Sequence, residues 1–177
     1  MNKRTIRWIV SGLLAAVLGV VAVAAVAQAR GGNNDNSISK IRAATARYHD
    51  TKAAQADGWD LRPGLDKCFD QPGTGGMGFH YINLTELQDL TEDPLRPEAL
   101  VYAPTSWGQQ DLAAVEYIVP QKEWDAAGNT APPELLGQHF HLDPTLGVYI
   151  LHAWIFKDNP SGMFEDFNPK VLPCPAS

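Results

Sequence analysis

Residues 137–156, GQHFHLDPTLGVYILHAWIF, contain three of the five histidines in this 177-residue chain. Alternating side chains on both sides of a turn that begins at Asp143 predict two strands of a hairpin. Because side chains alternate between the two faces of a strand, His139 and His141 point the same way, whereas His152 lies among bulky apolar groups. A polar ring in apolar surroundings needs a partner, so we look for a functional site here.

The first 29 residues have the composition of a secretory signal peptide. A positively charged start precedes an almost unbroken apolar run over residues 8–27, and the small residues Ala27 and Ala29 fit a cleavage site. We expect cleavage after Ala29. The alternative is an uncleaved N-terminal membrane anchor, because the apolar run is about as long as a bilayer is thick. The pattern predicts a protein that is secreted or held in the cell envelope, with no membrane contact once the leader is cut.

The chain beyond the leader is long enough for one domain, with residues 30–36 as a flexible spacer and residues 37–177 as the domain. Loss of the leader removes three positive charges and no negative charge, which changes the formal net charge from −6 to −9. So acidic a protein is not expected to bind nucleic acid, which requires clustered Lys and Arg. Cys68 and Cys174 are predicted to form a disulfide in an oxidising compartment, with free thiols or metal-binding thiolates as the alternative.

The hydrophobic pattern of the domain predicts an α+β fold. Residues 37–57 have apolar positions at helical spacing, and Gly58 is a plausible stop, so we expect one long N-terminal helix. Besides the hairpin, strands are expected over residues 79–83, 99–103 and 111–119. Regular helices do not separate these strands, which disfavours a parallel sheet. We therefore expect a mainly antiparallel sheet that is curled or closed into a small barrel.

Polar residues inside the apolar strands define two candidate metal sites. His80, Glu116 and His152 form a two-histidine, one-carboxylate set that suits zinc or iron with a bound water, and each would be costly to bury alone. The second set is His139 and His141, completed by His152 or Glu116, and copper is a further candidate metal for imidazole ligands. In an enzyme, Glu116 and His152 would be the catalytic residues, and either hydrolysis or an oxygen-dependent step is compatible with the set.

Three aromatic residues, Tyr81, Tyr117 and Trp154, are predicted to shape an apolar pocket beside these ligands. Two functions without a metal stay open. In the first, the pocket binds a small apolar or aromatic molecule that the histidines only orient. In the second, the His and Glu side chains form a buried polar cluster in a structural envelope protein. The motifs typical of serine hydrolases, nucleotide-binding proteins and zincins do not occur in the sequence.

Four different short motifs are spread over most of the domain. They are GMGFHYIN at residues 76–83, VEYIVP at residues 115–120, LHAW at residues 151–154, and NPSGMF followed by NP in the tail. In this order they resemble a family of exported bacterial proteins. The resemblance implies an exported protein and no particular reaction. The recurrent His of GMGxHY, Glu of VEY and His of LHxW match the first ligand set, which the resemblance therefore favours.

Overall fold

The computed structural model describes residues 36–175. The predicted signal peptide and all but the last residue of the predicted spacer lie outside the described residues. Within the part that is described, no helix is both long and apolar enough to cross a membrane.

The start of the domain is helical, but the single long helix that we expected is not present. Helix α1, residues 36–45, is followed by a 3-10 turn, Ala46–His49, and helix α2 begins after Asp50, at Thr51–Ala56. Asp50 has an extended backbone, and its side chain accepts the backbone N–H of Lys52 at 3.0 Å. This N-cap interaction starts a new helix and separates α2 from the turn before it.

The rest of the described chain contains two short helices and nine strands. The helices are α3, Leu84–Asp89, and α4, Gln121–Ala126. The strands are β1, Trp59–Asp60; β2, Cys68–Gln71; β3, Gly75–Asn83; β4, Ala99–Pro104; β5, Gln110–Pro120; β6, Glu134–Leu135; β7, Gln138–His139; β8, His141–Asp143; and β9, Val148–Ala153.

Seven of these strands form one antiparallel sheet. Its order is β1-β3-β4-β5-β9-β8, with β2 also paired to β3, and β6 pairs with β7 in a separate two-stranded sheet. The prediction of an α+β fold with a mainly antiparallel sheet is confirmed. The barrel alternative is wrong, because the two end strands do not pair and the sheet stays open.

The two faces of the large sheet bury different side chains. One face carries the larger apolar residues and packs against α1 and the 3-10 turn to form the main core; its members include Ile41, Tyr48, Leu100, Tyr102, Val115, Tyr117 and Leu151. The opposite face, which we call the second face, is lined at its centre by smaller residues. Val101, Ala103 and Ala114 pack there with Trp154 and with Val171 of the tail.

The C-terminal tail has no strand or helix among its described residues and is tied to the body of the domain. Cys68 of β2 is joined to Cys174 with a Cα–Cα distance of 5.6 Å, which confirms the predicted disulfide. Further along β3, the backbone groups of Gly76 and Asn168 exchange two hydrogen bonds of 3.0 and 3.2 Å. These links fix the tail against β2 and against the start of β3.

The glycines of the GGMG stretch allow this close approach. A Cβ on Gly76 would lie 2.7 Å from the side chain of Val171 in the tail. Gly78 has a φ of +105°, and a Cβ there would lie 2.3 Å from the backbone oxygen of Tyr102 in β4. Glycine, which has no side chain, therefore occupies the two positions at which the tail and β4 lie closest to the backbone of β3.

Candidate metal centre

Adjacent strands bring His80, Glu116 and His152 together. In the pairing of β5 with β9, Glu116 lies directly opposite His152. His80 of β3 is paired with Val101 of β4, and Val101 is paired with Ala114, two residues before Glu116. Because side chains alternate along each strand, all three polar residues lie on the second face. The prediction that they meet inside the fold is confirmed.

The three side chains are buried, and the distances between their polar atoms are longer than those of good hydrogen bonds. The relative exposure is 0% for His152, 4% for Glu116 and 7% for His80. The two Nε2 atoms are 3.5 Å apart, Glu116 Oε2 is 3.6 Å from His80 Nε2, and Glu116 Oε1 is 3.5 Å from His152 Nε2. A good hydrogen bond between such groups spans roughly 2.7–3.2 Å. The groups therefore converge without making short hydrogen bonds to one another.

This donor set fits a single divalent metal ion. Two imidazole nitrogens and a carboxylate are ligands of zinc and of non-haem iron. With metal–ligand bonds of about 2.1 Å, tetrahedral geometry places ligand atoms about 3.4 Å apart. The two Nε2 atoms, 3.5 Å apart, have that spacing, and Glu116 approaches each ring with a different oxygen, at 3.6 Å through Oε2 and at 3.5 Å through Oε1. With one ligand atom from each residue, the three atoms lie within 4.8 Å of one another. Within residues 36–175, this is the single group of three or more His, Cys, Asp or Glu side chains arranged in this way.

Asp166 contacts His152 from the side opposite the cluster. Its Oδ1 atom is 3.3 Å from His152 Nδ1, and its Oδ2 atom is 3.1 Å from Nε2 of His141. A carboxylate on the outer nitrogen of a metal-binding imidazole fixes the tautomer and the orientation of the ring. His141, a ligand in the second predicted set, is thus placed beside Asp166 and outside the cluster.

Asp166 was not predicted as a site residue, because it lies in a tail without regular structure. The tail is positioned by side-chain hydrogen bonds: Trp154 Nε1 donates to the backbone oxygen of Glu165 at 2.6 Å, and Asn159 Nδ2 donates to that of Phe167 at 3.1 Å. These two bonds flank Asp166 in sequence. The available signal was a pair of acidic residues between the two Asn-Pro dipeptides of the tail.

The surroundings shift the pKa values of the two buried histidines in opposite directions. Burial lowers the pKa of His80 and outweighs the attraction of the Glu116 charge. Burial also acts to lower the pKa of His152, but the Glu116 and Asp166 carboxylates together raise it above its usual value. Burial acts to raise the pKa of Asp166, yet His141 and His152 hold it well below its usual range. Because a metal ion binds the neutral form of the ring, protons compete with it more strongly at His152 than at His80.

A partly enclosed cavity of about 400 Å³ adjoins the cluster. His80 and Glu116 form part of its wall, and His152 lies behind them, so the cluster faces the cavity through these two residues. Most of the other wall residues are apolar, and Phe69 of β2 packs edge-on against the His80 ring with a centroid distance of 5.4 Å. A group bound by His80 and Glu116 would be reached from this cavity.

The three aromatic residues expected to shape the pocket lie elsewhere. Tyr81 and Tyr117 follow His80 and Glu116 directly in their strands, so they point to the opposite face and belong to the main core. Trp154 stacks on His152 with an interplanar angle of 11°, and it packs in the second-face cluster. None of the three lines the cavity beside the cluster.

The second predicted ligand set is not brought together. His139 lies in β7, which pairs with β6 outside the large sheet, whereas His141 begins β8, which pairs with β9. The chain leaves one sheet for the other at Phe140, which is buried in the main core. His139 is exposed and is not part of the cluster.

The arrangement can bind one cation through a neutral imidazole, an imidazole oriented by a carboxylate, and an acidic side chain. Three protein ligands leave coordination positions for water or a substrate atom. The apolar cavity lies next to two of the three ligands. No family model, curated protein or solved structure matches the chain.

Proposed function

We propose that this is an exported metal-binding protein, secreted or held in the cell envelope, in which His80, Glu116 and His152 hold one divalent transition metal ion. Zinc, iron and copper are the candidates, because imidazole and carboxylate ligands suit each of them. The disulfide supports an oxidising compartment outside the cytosol. The resemblance to exported bacterial proteins supports the same location.

The spacing of the donor atoms is the observation that carries this proposal. In a polar cluster without metal, buried groups satisfy one another through hydrogen bonds of normal length. Here the three separations, measured from the Nε2 atoms and the two Glu116 oxygens, are 3.5 to 3.6 Å. Burial of an uncompensated carboxylate costs several kcal/mol. A metal ion supplies the missing compensation.

A metal ion with open positions polarises a bound oxygen or lowers the pKa of a bound water. In this proposal the open positions face the cavity beside His80 and Glu116. If a water were bound there, Glu116 or a nearby histidine would accept its proton, and Asp166 would hold His152 in place. Hydrolytic and oxygen-dependent reactions are the activities to test.

Metal analysis tests the proposal directly. The mature chain, purified without a His-tag and without exposure to chelator, should contain about one equivalent of a transition metal. His80→Ala and Glu116→Gln should each lose it. His139→Ala is the matched control, because His139 is exposed in the small sheet and should leave the metal content unchanged. A content below about 0.1 equivalent in the unmodified chain would remove the proposal.

A second candidate is a binding module that needs no metal, and the size and apolar walls of the cavity favour it. In that case, removal of metal with a chelator should leave the affinity for an apolar ligand unchanged. A chelator effect of tenfold or more on that affinity would exclude the second candidate.

A further inference from the structure

We infer that the cavity beside the cluster binds a small, uncharged aromatic alcohol whose hydroxyl oxygen contacts the metal held by His80, Glu116 and His152. The inference rests on the proposed function and adds the chemical class of the ligand. It follows from the charge of the cavity, from the position of His80 and Glu116 in its wall, and from its size and apolar lining.

The charges of the cavity disfavour an anionic ligand. Among the described residues, those that line it include Asp70, Glu116 and Asp143, and none is Lys or Arg. Three carboxylates outweigh the two positive charges of a divalent metal ion, so a carboxylate or phosphate group would lose its hydration in a cavity that stays negative. A cationic group would instead be repelled by the metal ion that it has to contact. We therefore expect an uncharged ligand.

Two of the three carboxylates in the wall are each held by the backbone through one oxygen. Oδ2 of Asp70 accepts a backbone N–H of the C-terminal tail at 2.8 Å. Oδ1 of Asp143 accepts two backbone N–H groups of its own turn at 2.8 and 3.1 Å. His80 and Glu116 are the polar wall residues that belong to the cluster. The metal ion that they hold is therefore the point at which we expect the polar atom of the ligand to bind.

The remaining wall fits an aromatic body. Phe69 and Phe167 line the cavity together with Ile82, Leu87, Ile118 and Ile150. Aromatic side chains favour offset or edge-to-face contacts with another ring. An apolar cavity of about 150 Å³ is enough for benzene, so about 400 Å³ accommodates a bicyclic ring and its hydroxyl group.

A binding assay with three probes of similar size tests this inference. The mature chain is loaded with Co²⁺, whose visible spectrum reports on its ligands, and is titrated with 1-naphthol, naphthalene and 1-naphthoate. We expect 1-naphthol to change the cobalt spectrum and to bind at least tenfold more tightly than either of the others. Naphthalene lacks the oxygen, and 1-naphthoate carries the excluded charge.

Two variants locate the binding to this cavity. Ile118→Trp and Val148→Trp fill it from β5 and from β9, and each should weaken 1-naphthol binding at least tenfold while one Co²⁺ is still bound. Retained cobalt shows that the variant is folded, and either variant alone is sufficient. Leu142→Trp is the control, because Leu142 is exposed on β8 and does not line the cavity.

The outcomes separate this inference from the proposed function. If Co²⁺ binds but 1-naphthol does not, or if 1-naphthoate binds equally well, the inference is overturned and the metal site stands. Unchanged 1-naphthol binding in a cobalt-loaded cavity variant also overturns it. If the unmodified chain takes up no metal, the proposed function fails and this inference fails with it.

Discussion

Asp166→Asn tests whether the carboxylate of the tail supports the metal site. The substitution keeps the size of the side chain but removes its charge. It also presents an amide NH₂ group to one of the two imidazoles that Asp166 now contacts, at 3.3 Å for His152 and 3.1 Å for His141. His152 is fully buried, so water cannot take the place of the lost carboxylate oxygen. Its ring should therefore lose the orientation and the electron donation that favour metal binding.

The expected effect on metal binding is large enough to measure. Substitution of such an outer partner weakens metal affinity by roughly 10- to 100-fold, which corresponds to about 1.4–2.8 kcal/mol. His141→Ala should have a smaller effect, because it leaves the contact between Asp166 and His152 intact and His141 is itself 46% exposed in its side chain. A larger loss of metal affinity in Asp166→Asn than in His141→Ala would show that the contact of Asp166 with His152 is the one that supports metal binding.

The measurement is the dissociation constant for Zn²⁺ at pH 7, obtained by competition with a chromophoric chelator. Asp158→Asn is the matched control: Asp158 lies in the same tail, pairs with Lys170 and is 80% exposed in its side chain. Its affinity should change by less than about twofold, in keeping with the small contribution of exposed ion pairs. An Asp166→Asn protein with unchanged Zn²⁺ affinity would refute the supporting role of this carboxylate.

Three further predictions concern stability. Burial raises the pKa of Glu98 to about 8, so the free energy of unfolding should fall between pH 4.5 and 8, by at most about 5 kcal/mol. Urea titrations of Glu98→Gln should lose this slope, and a retained slope contradicts the assignment. Gly78→Ala should lower the free energy of unfolding by several kcal/mol, because the new Cβ meets a backbone oxygen. Gly108→Ala should lower it by only about 1 kcal/mol, because a Cβ there meets no atom within 4 Å. Equal melting temperatures of the two variants would refute the steric argument. Replacing Cys68 and Cys174 by Ser should lower stability by about 4–5 kcal/mol, and an unchanged urea midpoint would show that the loop closure adds nothing.

The central strands could be predicted because their sequences carry a local signal. Residues 99–103 and 111–119 are apolar, rich in β-branched or aromatic residues and bounded by turn residues, and they correspond to β4 and β5. The meeting of His80, Glu116 and His152 was also predictable, because a polar residue in a buried strand needs a partner on the same face. The need for a polar partner thus links residues that lie far apart in the sequence, which a local pattern cannot do.

The predictions of one long helix and of an aromatic pocket were wrong because each relied on one sequence feature and neglected another. Apolar spacing over residues 37–57 predicts a continuous helix, but the capping side chain of Asp50 starts a second one. The aromatic neighbours Tyr81 and Tyr117 were assigned to the pocket, although strand alternation sends them to the opposite face from His80 and Glu116. Adjacency in sequence is thus poor evidence for adjacency around a site on a sheet.

The tail could not be placed from sequence, because its path depends on contacts with residues far away along the chain. Asp166 reaches His152 through backbone groups fixed by Trp154 and Asn159, and none of these contacts follows a regular period. Irregular segments of this kind satisfy their polar groups one at a time. Sequence reasoning can find the residues of a site in regular strands more readily than the residues that support it from a loop.

The position of the cluster also explains why the disulfide and the site belong together. The second face has small residues at its centre, Val101 and Ala114, which leave room for two imidazole rings but supply little apolar burial of their own. The cover must therefore come from elsewhere: from β2, whose Phe69 packs on His80, and from the tail that carries Asp166. The Cys68 to Cys174 bond joins these two covering segments to each other. Because a disulfide persists in an oxidising compartment, β2 and the tail stay covalently joined next to the cluster under those conditions.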